Sequence, residues 1–512
     1  MHDVIIIGGA FSGASMGLLI KRARPEAQVL IIERSVEFDR KVGESTSEVA
    51  ACFLTRVLHL SKYMHHNHLT KQGLRMWFTT PDNDCLTRCT EVGAYYQTRL
   101  ATFQIDRALL DEHLLELAQK EGCELWRPAK VEEITLAENG GKTQHITAKV
   151  DGETREATSS WIVDASGKAT VLSRKLGHWR RLETHPTNSI WARFRGVEDL
   201  DGYEIAKRHP EFPASVRCSR NLATNHLMGR GWWCWIIPLR NGDISFGLTY
   251  DPRVFEPPKG GTIPERLLAH AKQHPVGRFL FEQATVVEND SRAYSHLPYY
   301  SEQVAGNGWA IVGDAAGFMD PLYSQGLDYC SHSVYTAHKF IVRSLAGEDV
   351  TDARVAYNDQ FKQSYFRWYH SLYDNKYEYL GEADLVYAAF LMDLACYFIG
   401  PVRLVYDNPD MEFGMMPYQG TGGAIFARFM TFYNRRLVHI AKKRHAAGAT
   451  GRENLDNRWL IKQGFIPTFK VLPLLRMGLM VWLKAEWRAL FLPAVQSPPP
   501  APAVASEAAV LP

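Results

Sequence analysis

The chain opens on Val4-Ile5-Ile6-Ile7, a run of β-branched residues, followed at once by Gly8-Gly9-Ala10-Phe11-Ser12-Gly13. A helical run from Ala14 to Arg22 comes next, then a second apolar run, Val29-Leu30-Ile31-Ile32, ending at Glu33. A short, uninterrupted β-branched run reads as a strand buried on both faces of a parallel sheet. The glycine turn between strand and helix leaves backbone N–H groups at a helix N-terminus, where a phosphate is held without side-chain help. Gly8 makes the tight turn, Gly13 lets helix and strand approach, and Glu33, about twenty residues on, stands where it accepts ribose hydroxyls. Ala10 replaces the usual middle glycine and adds a methyl beside the pyrophosphate seat. The pattern predicts a βαβ dinucleotide unit with Gly8, Ala10, Phe11, Ser12, Gly13, Glu33 and Arg34 at the ligand.

Further approach points lie far along the chain. They are the small-residue turn Gly43-Glu44-Ser45, Arg107 at a helix start, the strand-and-turn Trp161-Ile162-Val163-Asp164-Ala165-Ser166-Gly167, and Gly313-Asp314 after Trp309-Ala310-Ile311-Val312. So many contacts suit a long, extended FAD better than a nicotinamide nucleotide. From Gly313 to Gly326 the chain leaves a strand, turns on small residues and re-enters a helix near Leu327, a second natural anion seat.

Gly231-Trp232-Trp233-Cys234-Trp235-Ile236-Ile237-Pro238 reads as a strand of period two, with Trp233 and Trp235 on one face and Pro238 at its end. Indoles beside a flavin ring would keep substrate off it.

Gly8/Gly13, Glu33, Gly43-Glu44-Ser45, Arg107, Asp164-Ala165-Ser166-Gly167 and Gly313-Asp314 together resemble the flavoprotein monooxygenase superfamily over roughly residues 1–345. Trp233, Trp235, Ile237 and Pro238 match its W-x-W-x-I-P halogenase pattern. Phe318, Pro321, Ser324 and Gly326 match the F-x-x-P-x-x-S-x-G pattern. On these residues the chain is similar to the flavin-dependent halogenases. The resemblance implies FAD, used as FADH2, with chloride or bromide held at the Gln325 and Gly326 amides. It also implies a catalytic lysine, here Lys71, which receives hypohalous acid by hydrogen bond or as a haloamine and halogenates an electron-rich aromatic. Pro321 and Gly326 then belong to the cofactor's surroundings, and Ser324 and Tyr323 to the catalytic loop. Tryptophan-type members carry glutamate where this chain has Tyr323. That departure points to a phenol- or pyrrole-type substrate, free or carrier-bound, and leaves Lys71 without a carboxylate partner from the Tyr323 loop. A separate flavin reductase is the expected partner. The alternative is an NAD(P)H-using monooxygenase or reductase of the same superfamily, and a third reading is a flavin-bound scaffold without chemistry.

The expected fold class is α/β. A discontinuous Rossmann-like, glutathione-reductase-type FAD domain (1–184 and 301–345) carries an inserted antiparallel substrate sheet (185–300), followed by a helical region (346–495) and a disordered Pro/Ala-rich tail (496–512). The aromatic-dense stretch Tyr365 to Tyr379 reads as core. Residues 465–492 read as an amphipathic helix, packed on the body or in weak contact with a membrane surface. A net charge of +2 with mixed signs gives no argument for nucleic acid. Eight scattered cysteines, an N-terminus that begins with a strand, and no uninterrupted apolar run of membrane length lead to a cytoplasmic expectation. His65, His66, His68, Cys85 and Cys89 lack paired metal-ligand spacing, so no metal is expected.

Overall fold

The computed structural model describes residues 1–137, 141–408, 418–462 and 471–492. Its first sheet runs Ala305–Gly306, Trp309–Ile311, Glu153–Asp164, His2–Ile7, Val29–Ile32, Glu124–Trp126. The last five of these are mutually parallel, as the continuous apolar runs require. Ala129–Thr135 and Gln144–Val150 add an antiparallel meander to Glu153–Asp164. The helices Phe11–Ala23, Arg107–Lys120 and Gly326–Leu345 pack together on this unit.

A second eight-stranded sheet carries Thr285–Tyr294, Asn188–Arg195, Ile244–Tyr250, Trp232–Pro238 and Thr224–Gly229. It then continues through Leu74–Phe78, Thr90–Ala94 and Arg458–Ile461. The 185–300 boundary therefore captures five of its eight strands. Two of the rest come from inside the expected FAD segment and one from the expected helical region. Period-two patterning marks a strand but not the sheet it joins, which is why the boundary missed them. Leu74–Phe78 is anchored by Arg75, whose guanidinium meets buried Glu91, itself held by Arg220 (2.8 Å). This fixes the backbone just after Lys71.

The region after Leu345 is mostly helical: Thr351–Trp368, Ala383–Tyr397, Gly420–Ala446 and Leu472–Leu490. Tyr365, Tyr369, Tyr373, Tyr377 and Tyr379 are buried, as a core stretch requires. The segment Ala383–Asp407 has the length and hydropathy of a membrane span, against expectation, yet most of it is buried inside the protein. Asp384 and Asp393 interrupt its apolar run in the sequence. The tail from 493 and the first part of the 465–492 stretch lie outside the described residues.

Candidate active site

At the first glycine turn, Gly8 has φ +97° and a Cβ there would sit 2.6 Å from the Ala165 carbonyl oxygen; one on Gly13 would sit 1.8 Å from that of Gly8. Only hydrogen fits at either position. Ala10 caps the Phe11–Ala23 helix without a side-chain hydrogen bond, leaving first-turn amides for a phosphate. The Glu33 carboxylate accepts from the Gly9 (2.7 Å) and Ser35 (2.8 Å) amides, which aim it at the strand end. Arg34 stands exposed beside it.

Arg107, buried at its helix start, pairs with Asp111, which also accepts from the Phe11 amide at 3.2 Å and from Lys41 at 2.9 Å. Gly43 (φ +93°) makes room for that guanidinium, since a Cβ would fall 2.6 Å from it. Asp164 accepts from the Ser166 (2.9 Å) and Leu172 (2.7 Å) amides. With Gly167 it builds the turn pressed against Gly8 rather than lining the cavity beyond. Gly313 sits against Ser12, and the Asp314 carboxyl is raised by burial and pulled back by Arg107.

These elements border a cavity of about 1070 Å³, lined by Gly43, Ser45, Arg107 and Asp314 on one side and by Trp191, His226, Trp233 and Trp235 on the other. Pro321, Ser324 and Gly326 close it. Glu44 turns toward the second sheet, where buried Arg193 takes its carboxylate and also faces Asp106 and Asp290, both at 3.6 Å. Trp233 and Trp235 do share a face, their centroids 5.8 Å apart. The Trp233 indole donates to the Tyr377 hydroxyl (2.9 Å), which donates to Asp320 (2.9 Å), a carboxylate also met by His185. A glycine cradle at a helix start and a cavity beside a buried Arg–Asp pair fit FAD.

A second cavity, about 890 Å³, lies behind the first and contains Lys71. Segments 43–48 and 323–328 form the wall between them. Ser45, Ser324 and Gly326 face the first cavity, while Thr46, Glu48, Tyr323, Gln325 and Asp328 face the second. Trp191, Trp233 and Trp235 line only the first. Gln325 caps the Gly326–Leu345 helix without a side-chain hydrogen bond, and Ser324 takes a left-handed φ of +58° to make the turn.

Lys71 is 3% exposed, and its Nζ donates to the Thr46 carbonyl at 2.9 Å. Its own N–H donates to Thr102 O (2.8 Å), and its carbonyl accepts from the Thr102 and Thr98 hydroxyls. Burial pulls the amine down to about 8, against the charges of Glu48 and Asp328. Burial also raises Asp328 to about 7, opposed by donors from Ser47, Tyr397 and the Ala50 amide. The acidic neighbours absent from the Tyr323 loop thus come from two other helices. Tyr323 itself donates to Asp393 (2.9 Å), which also holds buried Lys376 at 3.0 Å.

Trp368, Phe390, Leu394 and Tyr397 roof the chamber from the C-terminal helices. The sequence reading did not single out Glu48, Asp328, Asp393, Tyr397 or His226. The one local signal was an acid inside an apolar run, Asp393 in Ala388-Ala389-Phe390-Leu391-Met392-Asp393-Leu394, where a buried charge demands a partner. His65 and His66 bond to carbonyls of their own helix, and among the described residues no His/Cys/Asp/Glu cluster suits a metal.

Fold and cradle define an FAD-binding flavoprotein with a second chamber behind its flavin site. The family model described as "Tryptophan halogenase" matches residues 86–373, more than half of the chain, which belongs to that family of flavin-dependent halogenases. A flavin-dependent halogenase of Dictyostelium discoideum is 27% identical over 360 residues, covering 64% of this chain and 57% of that relative. The tetracycline 7-halogenase of Kitasatospora aureofaciens is 25% identical over 435 residues, covering 79% and 75%. A 1H-pyrrole-2-carbonyl-[peptidyl-carrier protein] brominase of Pseudoalteromonas luteoviolacea is 27% identical over 367 residues, covering 70% and 81%. Among solved structures, halogenase PltM in complex with phloroglucinol and FAD superposes with TM-score 0.72 at 17% identity, covering 95% of this chain and 96% of that one.

Proposed function

We propose that the protein halogenates an electron-rich aromatic ring, phenol- or pyrrole-like, using FADH2, O2 and chloride or bromide. Reduced FAD and O2 supply the oxidising equivalent that turns halide and a proton into hypohalous acid and water. The observation that carries this reading is the placement of Lys71 in a chamber behind the cofactor cavity, with residues 43–48 and 323–328 between. A lysine there has no use for a hydroxylase, whose substrate must meet the flavin. The Gln325 and Gly326 amides, at an uncapped helix start, suit a halide. Lys71, desolvated and partly neutral near pH 8, either hydrogen-bonds the hypohalous acid or forms a haloamine with release of water. The ring then takes the halogen and loses a proton, for which Glu48 and Asp328 are the nearby acceptors. The aromatic roof suits a planar ring, and the relatives include a tetracycline halogenase and a brominase of a carrier-bound pyrrole.

The test incubates phenols and pyrroles, free and carrier-bound, with protein, FAD, a flavin reductase, NADH and halide, and reads products by mass spectrometry. A halogenated product that requires the reductase supports the reading. Substrate-stimulated NADPH oxidation by the protein alone, giving hydroxylated product, would replace it with the monooxygenase alternative.

A further inference from the structure

The Leu472–Leu490 helix is apolar on two sides: Leu474, Gly478, Ala485 and Ala489 are buried against the body, and a second apolar stripe faces outward. Leu472, Met480, Leu483, Trp487 and Leu490, with Phe491 just beyond, recur at helical spacing and are 58–72% exposed. A helix packed on a soluble body ordinarily carries polar residues on its outer side. The adjoining Gly420–Ala446 helix extends the patch with exposed Ile425, Phe429 and Phe432. The two helices are locked side by side by an edge contact of Phe432 on Trp482 (6.3 Å), a bidentate Arg436–Glu486 pair (2.7 Å) and Lys443 on the Ala489 carbonyl (3.2 Å). Nine large apolar side chains therefore share one surface, well beyond scattered exposure.

The border of that surface is basic. Arg428, Arg435 and Lys484 are exposed along it, Arg476 stands between Leu472 and Met480, and the two helices hold a single acid, Glu486, already neutralised by Arg436. Such a stripe, aromatic and aliphatic at the centre and cationic at the rim, matches an anionic lipid surface. A second copy of the chain would bring two basic rims together, and an acidic protein would answer the rim but not the hydrocarbon.

A further cavity of about 1060 Å³ gives the surface a purpose. It shares Trp368, Leu372, Asp393 and Tyr397 with the Lys71 chamber, and Gly422 and Phe426 of one helix and Leu475 of the other form its far wall.

We propose that the paired helices Gly420–Ala446 and Leu472–Leu490 dock on an anionic lipid surface, with the cavity beside them admitting an apolar aromatic substrate from the hydrocarbon to the Lys71 chamber. The docking stands on the exposed face alone; the nature of what enters rests on the halogenase reading.

The test is flotation of the FAD-loaded full chain with phosphatidylcholine vesicles, with and without phosphatidylglycerol. The protein should float with the anionic vesicles, and binding should fall with rising salt. The triple variant Leu483→Glu, Trp487→Glu, Phe491→Glu, at exposed positions, should lower binding by at least about tenfold. It should keep FAD content and the turnover of a water-soluble substrate, which separates lost docking from lost folding or chemistry. No flotation with either vesicle, or flotation unchanged by the triple variant, would overturn the proposal. So would a dimer in light scattering that the triple variant dissolves while vesicles bind nothing; the face would then join copies of this chain.

Discussion

Replacing Lys71 by methionine keeps roughly the volume and removes the amine, and its effect on stability can be worked out as well as its effect on turnover. The amine titrates at about 8 in the folded protein against an ordinary 10.5, because it is buried. Carrying its charge at pH 7 therefore costs the native state about 3 kcal/mol relative to the unfolded chain. Here the folded value lies below the unfolded one, so the unfolded chain binds the extra proton between about pH 8 and 10.5. Stability consequently rises with pH across that window; the penalty is complete below 8 and gone above 10.5. Lys71→Met escapes the penalty and gives up the hydrogen bond to Thr46, about 1 kcal/mol. The variant should be more stable than the natural protein by roughly 2 kcal/mol at pH 7. The gap should close and slightly reverse by pH 10.5. Urea unfolding at both pH values measures this, while product analysis and flavin absorbance measure the chemistry: halogenation abolished, flavin reoxidation intact. The lowered value leaves about a tenth of the amine neutral at pH 7, some 300-fold more than an exposed lysine offers. A variant less stable at pH 7, or a gap indifferent to pH, would refute the desolvation argument. Retained halogenation would remove Lys71 from the reaction.

Gly13→Ala puts a methyl 1.8 Å from the Gly8 carbonyl oxygen and should cut FAD retention at least about a hundredfold, read by flavin titration. Asp393→Asn strands the buried Lys376 ammonium and should cost about 3–5 kcal/mol in thermal or urea unfolding, whereas Asp393→Leu with Lys376→Met should recover most of it. Asp328, raised by burial from 3.8 to about 7, gives the native state the greater proton affinity between those values. Relative to Asp328→Asn, the natural protein should therefore lose stability as pH climbs from about 4 to 7, by up to about 4 kcal/mol, and lose no more above 7. Paired unfolding curves across that range check it.

The glycine turn at Gly8 and Gly13 was legible in the sequence, because its determinants are local. Gly8, Gly13 and Glu33 act within one βαβ unit, and a close backbone approach or a left-handed turn is demanded within a few residues of where it is met. The indole pair was legible for the same reason, since period two places Trp233 and Trp235 on one face whatever the sheet around them. Resemblance, rather than spacing, pointed to Lys71.

What only the tertiary structure decided is what long-range contact decides. Glu48, Asp328 and Asp393 become neighbours of the Lys71 chamber because three helices far apart in the chain converge there, and no periodicity encodes convergence. Asp164 was read as a ligand contact yet spends its carboxylate on its own turn, as a buried acid does when amides lie within reach. The second sheet recruits 74–78, 90–94 and 458–461 because strand edges seek hydrogen-bond partners without regard to sequence distance. Which apolar side of Leu472–Leu490 is covered and which faces solvent was likewise open, since apolar residues lie on both sides of the helix and only packing selects between them.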